Sequence, residues 1–171
     1  MTQDPNNYWE QLERLEKLIR ASEFKAGIVF SFHGLILGFF VDNLDRLRPV
    51  YEEGPIFIVL SILWLMSALI SIYFCFKCFK PQIESRYASN VFFFQDAVKS
   101  YGSQEEYVKE LLQVNADENK LFQQLGEQIH AESKIIDEKF RVVQNAIKFF
   151  VLSFVFIIIS AIIWVAQIYM V

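Results

Sequence analysis

Helix breakers are scarce in this chain: four Pro and six Gly among 171 residues, with no low-complexity tract and no internal repeat. Long uninterrupted helices are therefore open to it. Cysteine and histidine are scarcer still, at two each. Cys75 and Cys78 share a face if Cys75-Phe76-Lys77-Cys78 is helical, but His33 and His130 stand far away in sequence, which excludes a recognisable metal spacing. The two thiols read as reduced cytosolic side chains, with palmitoylation or a regulatory disulfide as alternatives. Also missing are a Gly-rich phosphate loop, an HExxH pair, a nucleophile elbow and a His with carboxylates at ligand spacing. Nothing here reads as an enzyme, a cofactor site or a metal site. A basic excess is lacking too: the net charge is −4, which argues against nucleic acid as a partner.

Apolar residues, by contrast, make up 54% of the chain and lie in three runs, Ala26 to Val41, Ile56 to Phe76 and Phe149 to Val171. A bilayer core about 30 Å thick needs roughly 20 helical residues. The second and third runs meet that outright. The first has only 16 residues. It spans if Phe24 and the stem of Lys25 are included, with the amine snorkelling to the interface; a buried or re-entrant helix is the alternative. A cleaved signal peptide is disfavoured because the run follows the charged segment Asn6 to Lys25 and lacks a small-residue cleavage site before Asp42.

The fold class expected is an all-α membrane protein with three transmembrane helices and a small cytoplasmic helical bundle. Its parts are an amphipathic helix over 1–23, spans over 24–42, 56–78 and 147–170, an extracytoplasmic loop over 43–55 and a cytoplasmic region over 79–146. Orientation comes from the cations. The stretch Asp42 to Pro55 carries Arg46 and Arg48 against four acids, whereas Arg14, Lys17, Arg20, Lys25, Lys77, Lys80, Arg86, Lys134, Lys139, Arg141 and Lys148 lie on the other side of the spans. By the positive-inside rule the N-terminus and the segment Phe79 to Ala146 of this multi-pass protein are cytoplasmic, and the C-terminal Val171 faces outward.

Trp9, Leu12, Leu15, Ile19 and Ser22 recur at helical steps behind the start signals Pro5 and Asn6, and no breaker separates them from the first span. One helix of about 34 residues is predicted, about 50 Å at 1.5 Å per residue. Leu121, Leu125, Ile129, Ile136, Phe140, Val143 and Ile147 make a similar stripe, predicting a second long helix from Glu118 into the last span. Between them, Ile83 to Lys99 and Gln104 to Val114 read as two shorter helices broken at Ser100-Tyr101-Gly102-Ser103, with Ser103 as N-cap ahead of Glu105 and Glu106. Phe92-Phe93-Phe94 is the expected centre of a bundle that these pieces close with the N-terminal helix.

Within the first span, Gly27, Ser31, Gly34 and Gly38 align at steps of four, three and four, and Gly34 to Gly38 is a GxxxG. In lipid, small residues let backbones approach and become the association surface. The contact is either intramolecular or the seam of a homo-oligomer. His33, one residue before Gly34, is an ionisable group inside a span and a candidate for pore lining or proton sensing; the alternative is a neutral imidazole bonded to a serine or a carbonyl on a neighbouring helix. His130 reads as solvent-facing. The acids from Glu105 to Glu138 follow helical surface positions among lysines and read as a solvated face.

Particular segments suggest a family. Ala21-Ser22-Glu23-Phe24-Lys25-Ala26 leading into a glycine-bearing span, Val91-Phe92-Phe93-Phe94 ahead of Glu105-Glu106-Tyr107, and Gln128-Ile129 with Ser133, Ile136 and Lys139-Phe140 before the last span resemble the transmembrane effector domain of bacterial Pycsar antiphage systems. The resemblance covers nearly the whole chain, with Glu23 where the commoner acid is Asp. It implies an abortive-infection effector: a partner cyclase makes a cyclic pyrimidine mononucleotide, the cytoplasmic part senses it, and the helices damage the inner membrane. An anionic nucleotide wants cationic donors, and Arg86, Lys134, Lys139 and Arg141 are the candidates. The rival reading is a non-catalytic anchor or accessory subunit recruiting a cytoplasmic partner. A channel or transporter subunit fits less well, since only His33 is ionisable well inside a span and three helices make no inverted repeat.

Overall fold

The computed structural model describes residues 4–52, 54–80 and 89–170, with the side chain of Met170 left aside. Among them there is no strand. Six helices follow one another: α1 (Pro5–Asp42), α2 (Leu44–Glu52), α3 (Pro55–Phe79), α4 (Phe94–Lys99), α5 (Gln104–Ala116) and α6 (Glu118–Met170). The two long helices expected are present and unbroken, at 38 and 53 residues. Asp4 starts the first: its carboxylate accepts from Asn6 N at 2.9 Å, and Pro5 takes the first helical position, where a missing N–H costs nothing.

The chain divides into two compact units, one of residues Met1–Ala21 and Pro81–Glu138, the other of Ser22–Lys80 and Lys139–Val171. In the first, Leu12 and Leu15 of α1 are buried with Val91, Val114, Leu125 and Ile136. Aromatic pairs tie its pieces together: Tyr8 with Phe122 at 5.2 Å, and Trp9 edge-on to Phe92 at 5.3 Å. Residues 89–93 are pinned by polar contacts. Asn90 Nδ2 donates to Gln124 O at 2.7 Å, Val91 N to Gln124 Oε1 at 3.0 Å, and Tyr107 O–H to Val91 O at 3.2 Å. A continuous helix over Ile83 to Lys99 is therefore not what forms. Residues 81–88 lie outside the described residues, and from Ser89 to Phe93 the chain is non-helical. The cause is Asn90, whose Oδ1 takes Phe92 N at 2.9 Å and so diverts a helical donor. The triple-Phe segment is correspondingly split, with Val91 buried, Phe92 against Trp9 and Phe94 71% exposed. Ser103 caps α5 as expected, accepting from Glu106 N at 3.2 Å.

The second unit holds the apolar parts of α1, α3 and α6, each long and apolar enough to cross a membrane. Of their most apolar 18-residue stretches only 17%, 28% and 6% are buried inside the protein. That inversion is what lipid as solvent requires, since acyl chains rather than protein cover Leu35, Phe39, Ile62 and Ile158. One buried cluster is built of small side chains, Ala26 and Val29 of α1, Cys75 and Cys78 of α3, and Val142, Val143 and Ala146 of α6. Small side chains let the backbones approach, and Ser71 Oγ donates to Ala146 O at 2.8 Å across the α3–α6 contact. The connection between the first two spans is itself helical as α2, with Pro49 inside it.

Candidate functional site at the Lys139 ion pair

Charge is expensive where three spans come together, so the polar atoms in that cluster merit a full account. Lys139 of α6 is 4% exposed. Its ammonium donates to Glu23 Oε1 of α1 at 2.7 Å and to the carbonyl of Cys78, in the last turn of α3, at 2.6 Å. One side chain thus joins all three spanning helices. The negative end of the α3 backbone dipole faces the cation, and the Glu23 side chain, 39% exposed, keeps some access to water. Cys75 and Cys78 are free thiols buried in the same cluster at 0% and 1% exposure, which leaves no surface for acylation in this arrangement. Among the described residues no three His, Cys, Asp or Glu side chains gather as a metal group would.

His33 is 1% exposed and lies edge-on to the Phe150 ring at 5.0 Å. Among the described residues its Nε2 has no hydrogen-bond partner, neither a serine nor a carbonyl. It continues the face of α1 that packs within the unit, Ser22, Ala26 and Val29. The glycine face lies about 100° round the helix for each one-residue offset and is open. A Cβ on Gly34 or Gly38 would meet nothing within 4 Å, and one on Gly27 would only touch the Phe79 ring at 4.0 Å. Among the described residues, Gly34 and Gly38 thus make no close contact within the chain.

Of the four cations considered for an anionic ligand, Arg86 lies outside the described residues. Lys134 is exposed in the first unit and Arg141 exposed in the second. Lys139 is engaged by Glu23 and Cys78. Sequence reasoning grouped it with its neighbours, although a signal was there: Ile136, Lys139, Val143 and Ala146 share one face, and a cation on an apolar face needs a buried partner. Glu132, in the first unit, was equally passed over as a solvated acid. Its Oε1 accepts from Gln128 Nε2 at 2.9 Å, while Oε2 is buried with no partner among the described residues. Burial pushes its carboxyl pKa above the usual 4.5 and the Glu16 carboxylate adds to that, against the Gln128 hydrogen bond.

Fold and site together define an all-α, multi-pass membrane protein whose three spans are joined by a buried ion pair. The sequence model of the Pycsar effector protein domain, PycTM, matches residues 7–166, and the chain belongs to that family. The Pycsar effector protein PtPycTM of Propioniciclava tarda is 27% identical over 133 residues, which cover 77% of this chain and 66% of that protein, slightly under two thirds of its length. No solved structure matches.

Proposed function

We propose that this chain is the membrane effector of a cyclic-nucleotide-signalled antiphage system: a cyclic pyrimidine mononucleotide made by a partner cyclase activates it, and its spans then impair the inner membrane, causing abortive infection. The observation that carries the reading is the family match over residues 7–166, which takes in both units. The orientation that goes with it has the N-terminus and the 79–146 segment in the cytoplasm, following the cations at the span ends.

The unit that contains α4 and α5 has 15 acids against 8 bases. A monoanionic nucleotide is therefore not drawn in by long-range charge, and its recognition rests on short-range donors. Lys134 and Arg141 remain in this proposal as cationic donors, and Arg86 with them. Lys139 instead holds the resting arrangement of the spans. Activation is then a population shift: ligand favours a state in which copies associate through the open face of Gly27, Ser31, Gly34 and Gly38, making a homo-oligomer in the bilayer. Any such ligand must bind that state more tightly than the resting one, for equal affinity shifts nothing.

The test is co-expression with a cyclase that makes cyclic pyrimidine mononucleotides while a potential-sensitive dye reports on the inner membrane. A rise in cyclic pyrimidine nucleotide should depolarise cells carrying the effector and spare those without it. Potential that holds steady as the nucleotide accumulates would refute the reading.

A further inference from the structure

We infer that the cavity walled by α1, α2, α3 and α6 in the second unit is a binding site for one acyl chain of a bilayer phospholipid. It measures about 250 Å³ and is lined by Phe40, Tyr51, Leu60, Ser61, Trp64 and Ile157, among others. A dry apolar cavity of about 150 Å³ is already enough to take up benzene. Water is a poor occupant, because it needs two to four polar partners and the hydroxyls in this wall are committed. Tyr51 and Ser61 share a hydrogen bond at 3.1 Å, and Ser160 donates to Phe156 O at 2.9 Å. What is left is apolar wall, including Trp64 against the Phe40 ring at 4.7 Å.

The source of an apolar occupant follows from where the wall stands. Helices α1, α3 and α6 are the spanning ones, and the residues on their outer faces, Phe39 at 71% and Ile62 at 56% exposed, meet acyl chains. Hydrocarbon is thus the solvent next to the cavity. Helix α2 marks the headgroup level: Leu47, Val50 and Tyr51 contribute to the wall, whereas Asp45, Arg46, Arg48 and Glu52 are exposed. A short helix with that division lies in a membrane interface. Its charges have both signs, which suits a zwitterionic phospholipid better than an anionic one. From Pro55 to Trp64 the helix rise is about 14 Å, near the half-thickness of a hydrocarbon core of about 30 Å, so Trp64 sits at the depth of the far half of a chain.

Trp64 supplies its own probe. In full-length protein carrying Trp9→Phe and Trp164→Phe it is the sole tryptophan, and the protein is reconstituted in phosphatidylcholine vesicles with or without bromines in the far half of the acyl chains, which quench indole on contact. Trp64 is 5% exposed, so lipid at the outer surface reaches it poorly. A resident chain should lower its emission at least twofold, and filling the cavity with Ser160→Phe should restore most of that loss. Ser61→Leu provides a second filling variant if the first fails to insert. Quenching that is absent, or unchanged by both fillings, overturns the inference. So does quenching by aqueous acrylamide instead of bromine, which would mean a hydrated cavity, and so does shielding that disappears as protein is diluted in lipid, which would mean a second copy in the site.

Discussion

Removing one member of the Lys139–Glu23 pair tests the account of how the spans are held. Breaking a fully buried pair from one side costs about 3–5 kcal/mol, because the partner is left charged and desolvated. The two ends of this pair are not equivalent. Lys139→Met deletes the ammonium and keeps an apolar chain of similar length, leaving behind a carboxylate whose side chain is 39% exposed and can recover water. About 2 kcal/mol is expected, below the buried range. Glu23→Ala leaves the ammonium, on a residue 4% exposed, bonded to the Cys78 carbonyl. About 4 kcal/mol is expected, within the buried range.

Cys75 and Cys78 report the opening directly. Both are shielded in the cluster that Lys139 closes, so maleimide reaches them only through local opening, and the labelling rate follows the opening equilibrium. Since each 1.4 kcal/mol is tenfold, labelling of Cys78 in membranes should rise about 30-fold for Lys139→Met and several hundredfold for Glu23→Ala. The double variant, with no charge left unpaired, should label more slowly than the product of the two factors. Additive effects, or Lys139→Met labelling faster than Glu23→Ala, would refute the argument.

Three further outcomes follow from the same geometry. Gly34→Leu with Gly38→Leu should leave the monomer intact, since a Cβ at either site meets nothing within 4 Å, yet reduce self-association measured by crosslinking and toxicity on activation; unchanged crosslinking counts against the glycine seam. Glu132→Gln should raise the melting temperature near neutral pH and not below pH 4. The raised carboxyl pKa means the folded state holds its proton more tightly, so stability present below the ordinary value of 4.5 is lost as pH rises through the shifted one; a gain equal at both pH values excludes this cause. Ser71→Ala removes the hydrogen bond to Ala146 O and should cost about 0.6 kcal/mol, the usual size for such bonds in membranes, read as roughly threefold faster Cys75 labelling. A tenfold change would mean that the hydroxyl holds more than one contact.

Periodicity made the long helices legible, because the stripe Leu12, Leu15, Ser22, Ala26 continues through the place where polar sequence becomes apolar. Local chemistry made the Ser103 cap legible for the same reason: the donor and acceptor are three residues apart. Where the partner is distant, the reading failed. Asn90 breaks the expected helix by taking Phe92 N while its amide reaches Gln124, 34 residues on. Helix α2 was hidden by Pro49 and by charges at Asp45, Arg46 and Arg48, though Leu44, Leu47 and Tyr51 already keep helical steps.

Lys139 is the instructive case, because Lys134, Lys139 and Arg141 are alike in composition and differ in angle. Seven residues are nearly two turns, so Lys134 and Arg141 share a face, and both are exposed. Lys139 lies two residues before Arg141, about 200° round the helix, on the side of Ile136 and Val143. Its partner Glu23 is 116 residues earlier and flanks the buried face of α1, three residues before Ala26 and about 60° from it round the helix. Each position, taken alone, reads as an ordinary flanking charge. Only the two faces taken together require a pair, and what a membrane adds is the penalty that makes an unpaired charge there untenable.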